Sequence, residues 1–414
     1  MAEAENLARA GRVAFTYPDF SLYQLARFFI VAGLEMQSVA VGWQIYEITK
    51  RPLDLGLVGL AQFAPGILLF LVSGHAADHF DRRKMMIACY AGFGTCSTLL
   101  LISALRGIHA VYPIYVVVVL MGIVRAFYNP VARAVLTQII PEHDLPSAIA
   151  WNSSIFQGAT ILGPSLGGLV YALSKGPGAV YVMSTLTAIG AMISMGKIKL
   201  RVSARPREKL RLDTIFAGIH YIFEKKIILG SISLDLFAVL LGGAAALLPI
   251  FAREILLTGP WGLGLLRAAP AIGAGGMALL LAYRPLRRRA GATMLWCVAG
   301  YGVSTILFGI SRSLILSMVA LGLVGALDMV SVVVRASLVQ ISTPDEMRGR
   351  VNAVDMIFIG ASNEVGQFES GLTAQWLGAV RAVVLGGIGT LIVTSLWAWS
   401  FPELRRVEKL TSVK

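Results

Sequence analysis

Residues 74–84 read GHAADHFDRRK, a short polar segment that ends in three basic side chains. The segment lies between two apolar runs of membrane-spanning length, since a spanning helix needs about 20 mostly apolar residues. About two hundred residues later, three arginines at 287–289 follow a second pair of such runs. This placement predicts a duplicated membrane protein with a cytoplasmic hinge.

The overall composition favours the same class. Hydrophobic residues make up 56% of the 414 residues and charged residues only 14%, whereas soluble domains carry roughly 25% charged residues. The sequence therefore predicts an all-α polytopic membrane protein with twelve transmembrane helices. The apolar runs lie near residues 19–47, 55–75, 85–106, 112–136, 147–173, 178–196, 227–252, 262–283, 291–310, 314–340, 351–377 and 379–401.

An internal repeat divides the chain into halves. LVGLAQFAP at 57–65 aligns with GLGLLRAAP at 262–270, and VARAVLTQI at 131–139 aligns with VVRASLVQI at 333–341. Halves related in this way predict two pseudo-symmetric six-helix bundles, the parallel-repeat architecture of one class of transporters. The expected boundaries are 1–18 for a cytoplasmic N-terminus, 19–196 for the first bundle, 197–226 for a basic cytoplasmic linker, 227–401 for the second bundle and 402–414 for a cytoplasmic C-terminus.

The net charge of +13 is distributed unevenly along the chain. If the N-terminus is cytoplasmic, about 24 Lys and Arg residues fall on cytoplasmic segments, including nine in the linker, and few fall on the opposite loops. This asymmetry follows the positive-inside rule and argues against a nucleic-acid surface. Both termini are therefore expected in the cytoplasm, and the linker is expected to lie along anionic membrane lipids.

The hinge segment resembles the signature between helices two and three of the major facilitator superfamily. His79 and Asp81 depart from the family's pattern, where an arginine and a second glycine are usual. The matching positions are Gly74, Asp78, Arg82 and Arg83.

Other segments carry the same resemblance. Residues 141–144 and 344–350 are similar to later cytoplasmic loops of the superfamily, and the glycines around Gly163-Pro164 resemble the helix-five motif of its antiporters. Leu234–Val239 and Arg348–Asn352 look most like its bacterial drug and siderophore exporters. The resemblance implies a monomer in the bacterial inner membrane, with a small-molecule substrate, protons and lipids as partners and no cofactor.

The hinge residues are expected to form a cytoplasmic gate. Asp78 lies at a helix end, where its carboxylate can accept hydrogen bonds from the exposed N–H groups of another helix; the family implies the eleventh. Arg133 and Arg335 lie near the cytoplasmic ends of their helices. Both arginines are expected to form gate-stabilising ion pairs with acids that follow them, namely Glu142, Asp144, Asp345 and Glu346. His75, Asp78 and His79 have a spacing that metal sites also use, but the hinge motif accounts for them better and no metal is predicted.

Polar side chains deeper in the spans are the candidates for a substrate cavity and proton coupling. A charged side chain near the bilayer centre costs roughly 2.5–3.5 kcal/mol, so such groups face the bundle interior and pair. Protonation of a carboxylate depends on its burial and on nearby charge, both of which alternating access changes. A static pair that only holds helices together is the alternative for each acid. The candidates are Arg27, Glu35, Arg125, Asn129, Asp235, Asp328, Glu364 and Glu369.

Helical spacing groups some of these candidates. Arg125, Asn129 and Arg133 step by four along one face of the fourth predicted span. Asp328 and Arg335, seven residues apart, share a stripe with Ser331. Glu364 and Glu369 are separated by about 140° around a helix, so they are not expected to face one cavity.

These patterns predict a secondary active transporter, a proton-coupled exporter of a small amphipathic molecule such as a drug or siderophore. The alternative is a carrier of lysophospholipid, or of another lipid or metabolite, with the same fold and no proton antiport. An enzyme is not predicted, because the sequence has no His-Glu-x-x-His metal motif and no Walker lysine loop.

Overall fold

The computed structural model describes residues 13–107, 110–199, 212–284, 286 and 289–408. Within these ranges it leaves out the side chains of Leu71, Asp78, Glu142, residues 212–216 and Asp345. The described residues are overwhelmingly helical, and none of them lies in a β-strand.

Seven helices precede the linker. α1 is unusually long, and α2 and α3 together occupy the second predicted span. Their bounds are α1 Pro18–Thr49, α2 Pro52–Leu68, α3 Phe70–His79, α4 Arg82–Leu105, α5 Tyr112–Ile139, α6 Leu145–Ser174 and α7 Gly178–Lys197.

A further seven helices follow. The first of them falls inside the predicted linker, and the others correspond to the remaining six predicted spans. Their bounds are α8 Leu212–Glu224, α9 Lys226–Gly242, α10 Gly259–Tyr283, α11 Ala290–Ile310, α12 Leu314–Ser342, α13 Asp345–Leu377 and α14 Ala379–Ser400. Short irregular turns continue α9 as far as Ile255.

Nine spans among the described residues are long and apolar enough to cross a membrane. The predicted all-α membrane fold is confirmed, whereas the predicted number of twelve transmembrane helices is not confirmed exactly. α6 and α13 are long enough but carry more polar side chains. The second predicted span is interrupted at Leu69, just after Pro65 and Gly66, two residue types that weaken helix interiors.

The chain forms two compact units. The N-terminal unit comprises residues 1–44 and 64–209, and the C-terminal unit comprises residues 45–63 and 210–414. The last turn of α1 and most of α2 therefore group with the second half of the sequence. The boundary falls inside α1, between Gln44 and Ile45.

In the N-terminal unit, α4 packs against α5 and α7 around a core that includes Tyr23 and Phe93. The helix-five glycines let α6 approach α1. A Cβ atom placed on Gly163 would lie 2.8 Å from the carbonyl oxygen of Ala32, and one on Gly167 would lie 2.7 Å from Cα of Met36. Small residues allow such contact between helices in apolar bundles.

In the C-terminal unit, α10 packs on α12, α11 on α14, and α9 on α12 and α13. The linker helix α8 joins this unit at the ends of two long helices. Gly218 of α8 lies against the backbone of Arg350, and the Tyr221 hydroxyl donates a hydrogen bond of 2.8 Å to the carbonyl oxygen of Ser342. The basic residues 201–211 lie outside the described residues, as do Arg287 and Arg288 of the second hinge.

Candidate functional site

A buried ion cluster lies among α9, α12 and α13. Nη1 of Arg335 is 2.5 Å from Oδ1 of Asp355, and its Nη2 is 3.5 Å from Oδ2 of Asp235. Arg335 is only 3% exposed and Asp235 6%. Because an unpaired charge at this depth would be costly, the two carboxylates and the guanidinium stabilise one another in place.

Asp328 extends this cluster along α12. It interacts electrostatically with Asp235 and Arg335. Asp235, Asp328, Ser331 and Tyr301 line a small cavity, and its other walls are apolar. The buried hydroxyl of Ser331 has no hydrogen-bond partner among the described residues. The stripe of Asp328, Ser331 and Arg335 thus meets Asp235 in one polar site.

The partners of Arg335 differ from those that the sequence indicated. Pairing with Asp345 or Glu346 was expected, but Arg335 points into the bundle, Glu346 is exposed, and the side chain of Asp345 is outside the described residues. The reason lies in the tight turn after Ser342, which makes α12 and α13 antiparallel. Asp355, ten residues into α13, therefore reaches the depth of Arg335.

Asp355 is the functional candidate that sequence reasoning missed. It lies within the predicted span 351–377. An ionisable residue inside a span is by default a functional candidate, and this signal could have identified it.

Glu364 and Glu369 on α13 have separate surroundings. Glu364 accepts a hydrogen bond of 2.9 Å from Gln367 and lies beside Gly59 of α2. Glu369 accepts one of 2.7 Å from Thr373. Both are half-buried, and neither is among the residues that line the cavity at Asp235 and Asp328.

The end of α1 carries contacts within the C-terminal unit that the sequence did not indicate. Tyr46 donates a hydrogen bond of 2.6 Å to Glu254, and Glu47 lies 3.3 Å from Arg253. Partial desolvation, and then the charge of Arg253, lower the pKa of the Lys50 ammonium below its usual value. The contacts of Tyr46 and Glu47 hold the end of α1 against the π-helical turn at Phe251–Ile255.

The candidates in the N-terminal unit are mostly cationic. Arg125, Asn129 and Arg133 are exposed along one face of α5. On α1, Arg27 and Glu35 are half-buried, and the guanidinium of Arg27 lies 5.4 Å from the centre of the Phe156 ring.

The hinge segment joins α3 to α4. Asp81, one of the departures from the superfamily signature, caps α4 by accepting hydrogen bonds from the backbone N–H groups of Arg83 and Lys84, at 2.9 and 3.2 Å. Arg83 also donates to the carbonyl oxygen of Gly196 at the end of α7, and Arg82 donates to that of Ala77. Gly74 is half-buried in α3. The side chain of Asp78 is outside the described residues, so its latch role stays a prediction.

The fold is that of transporters of the major facilitator type. It is similar to the nucleoside transporter NupG, with a TM-score of 0.72 at 10% identity over 92% of this chain and 100% of that one. A bacterial homologue of the iron transporter ferroportin gives 0.71 at 14% identity over 94% and 98%. A bacterial homologue of the human lysosomal transporter Spinster gives 0.72 at 14% over 94% and 99%.

The chain belongs to the family described as transmembrane secretion effectors, whose sequence pattern matches residues 14–413. The enterobactin exporter EntS of Shigella boydii serotype 4 (strain Sb227) is 27% identical over 407 residues, 94% of each chain. EntS of Escherichia coli O1:K1 / APEC is 26% identical over 404 residues, again 94% of each chain. The predicted superfamily is confirmed: the protein is a multi-pass membrane transporter with exporter relatives, and not an enzyme.

Proposed function

We propose that this protein is a proton-coupled exporter of a small amphipathic molecule, a siderophore or drug, in the bacterial inner membrane, with both termini in the cytoplasm. Substrate leaves by alternating access as protons enter. The exporter relatives support the direction of transport. The observation that carries the coupling is the group of three carboxylates, Asp235, Asp328 and Asp355, around the single guanidinium of Arg335.

The charge balance of this group suits proton exchange. Three carboxylates against one guanidinium leave excess negative charge, and a low-dielectric site relieves such excess by taking up a proton. The small cavity beside Asp235 and Asp328 has room for about one water molecule, which would connect these acids to a proton source. A conformational change that admits water to this cavity or excludes water from it would then cause the acids to bind or release a proton.

The proposal predicts gradient-driven transport that depends on Asp235 and Asp328. In proteoliposomes with an acidic lumen, wild-type protein should accumulate enterobactin, and two pH units can sustain roughly hundredfold accumulation for one proton per substrate. Asp235→Asn and Asp328→Asn should remove gradient-driven accumulation and retain exchange of labelled for unlabelled substrate. Uptake of labelled enterobactin, with and without the gradient, is the measurement.

Glu346→Gln is the matched control, because it removes an exposed carboxylate at the start of α13. It should transport as wild type does. Wild-type uptake that is equal with and without the gradient would exclude proton coupling. Gradient-independent movement of a fluorescent lysophospholipid between leaflets, with no uptake of enterobactin, would favour the lipid-carrier alternative.

A further inference from the structure

Ser331 of α12 carries a buried hydroxyl that binds nothing else in the described part of the protein. Its side chain is only 2% exposed, and it lines the small cavity between α9, α11 and α12. Its hydroxyl has no hydrogen-bond partner among the described residues. An unpaired hydroxyl at this depth costs free energy, so in a native structure it indicates a small bound ligand such as water.

The cavity suits a single water molecule. It has room for about one, and four polar side chains line it, whereas a buried water makes about three hydrogen bonds. The Tyr301 hydroxyl donates its own hydrogen to the carbonyl oxygen of Gly242, at 3.3 Å. Its oxygen can therefore accept a hydrogen bond from the water, while the Ser331 hydroxyl can donate one to it.

The two acids of the cavity have different surroundings. Asp235 is buried, and its Oδ2 lies 3.5 Å from Nη2 of Arg335. Asp328 is partly exposed and lies within ion-pair distance of no basic side chain in the described part of the chain. An ionisable side chain that is partly exposed within a span faces water rather than acyl chains. Asp328 is thus the outer acid of the cavity, and Asp235 is the inner one.

We propose that Ser331 holds a water molecule that carries protons from Asp328 to Asp235. The protonated carboxyl of Asp328 gives its proton to the water oxygen, and the same water gives one of its own protons to the carboxylate of Asp235. The water is regenerated, and one proton has moved inward. Ser331 acts as a positioning residue. This inference rests on the proposed function, because it assigns the order in which the two acids are protonated.

Protonation of Asp235 would act on the ion cluster. A neutral carboxyl attracts the guanidinium of Arg335 less than a carboxylate does, so the contact between α9 and α12 weakens. The proton that reaches the inner acid thereby changes how the helices are held together. The titratable and charged groups that face the cavity or the cluster come from four helices: Asp235 of α9, Tyr301 of α11, Asp328 and Arg335 of α12, and Asp355 of α13.

Transport by serine variants tests the positioning role. Ser331→Ala should slow gradient-driven uptake of labelled enterobactin about tenfold per folded protein, as expected for loss of one buried hydrogen bond. Ser331→Thr keeps the hydroxyl and should restore the rate. Ser337→Ala is the matched control, because the Ser337 hydroxyl on the same helix donates to the carbonyl oxygen of Val333. Replacing H₂O by D₂O should slow Ser331→Ala more than wild type, which altered packing alone would not cause.

Infrared difference spectra between acidic and alkaline buffer report protonated carboxyl groups without any substrate. The full-length protein in proteoliposomes should show a carboxyl C=O band that Asp328→Asn removes. Ser331→Ala should shift this band, because the carboxyl loses its hydrogen-bonded water. Ser331→Thr and Ser337→Ala should leave the band in place. If Ser331→Ala does not fold, Ser331→Cys takes its place, since a thiol is a weaker donor.

A wild-type uptake rate and an unshifted band in Ser331→Ala would overturn the proposal. Proton coupling would still stand if Asp235→Asn and Asp328→Asn abolished accumulation. A carboxyl band that shifts when sodium chloride replaces choline chloride at constant pH would identify a bound cation instead of water, and would also overturn the proposal. Wild-type uptake that is independent of the gradient would contradict the proposed function, whereas the infrared bands test the bound water without transport.

Discussion

Replacing Arg335 by methionine is expected to destabilise the protein by about 3–5 kcal/mol, because removal of one partner leaves buried carboxylates without compensation. Arg335 is the only basic side chain within ion-pair distance of Asp235 and Asp355 in the described part of the chain. Thermal unfolding of the purified protein in detergent should show a much lower midpoint. Little folded protein should be recovered from membranes.

Neutralising the acids of the same cluster should restore the stability that Arg335→Met removes. A quadruple variant that combines Arg335→Met with Asp235→Asn, Asp328→Asn and Asp355→Asn should recover most of the stability, since it removes all the uncompensated charges together. It should remain inactive in gradient-driven transport. Arg381→Met, at an exposed arginine near the start of α14, is the control. An Arg335→Met protein with the wild-type midpoint would show that the cluster contributes little to the fold.

Gly273→Ala is expected to have the second large effect. A Cβ atom on Gly273 would lie 1.8 Å from the carbonyl oxygen of Gly322, so α10 and α12 would have to separate. Gly325 makes the reciprocal contact, with a Cβ position 1.9 Å from the carbonyl oxygen of Pro270. Overpacking of this kind costs typically 1–3 kcal/mol, and backbone atoms cannot move aside as side chains do. The midpoint of thermal unfolding should fall accordingly.

Gly276, on the same helix, provides the matched control. Nothing lies within 4 Å of the position that its Cβ would take. Gly276→Ala should therefore leave the midpoint unchanged or raise it slightly, because alanine favours a helix interior by about 1 kcal/mol over glycine. Equal midpoints for the two variants would mean that close contact between α10 and α12 does not limit stability.

Most helices could be placed from the sequence because the membrane leaves few choices. Backbone groups in lipid must be satisfied within a helix, so an apolar run of sufficient length predicts one. The weaker predictions were the polar helices α6 and α13 and the span that Leu69 interrupts. In these helices the polar side chains, or Pro65 and Gly66, lower the mean hydropathy from which a membrane span is predicted.

The sequence predicted which residues are candidates for the site better than it predicted which of them contact one another. Asp235 and Asp328 were predicted because a charge inside a span is costly and therefore informative. Arg335 was predicted only as part of the cytoplasmic gate. Asp355 was missed, and the contacts of Arg335 with Asp235 and Asp355 were not predicted. Asp81 appeared only as a departure from a motif, whereas the structure shows it capping α4.

The sequence by itself determined the class of protein, the placement of its helices and the presence of costly charges within them, since each follows from local composition and periodicity. Tertiary structure alone decided which charges meet. Asp235 and Arg335 lie a hundred residues apart on separate helices, so their contact depends on how α9, α12 and α13 pack. That packing depends on glycine contacts and helix register, and neither can be predicted from a single segment of the sequence.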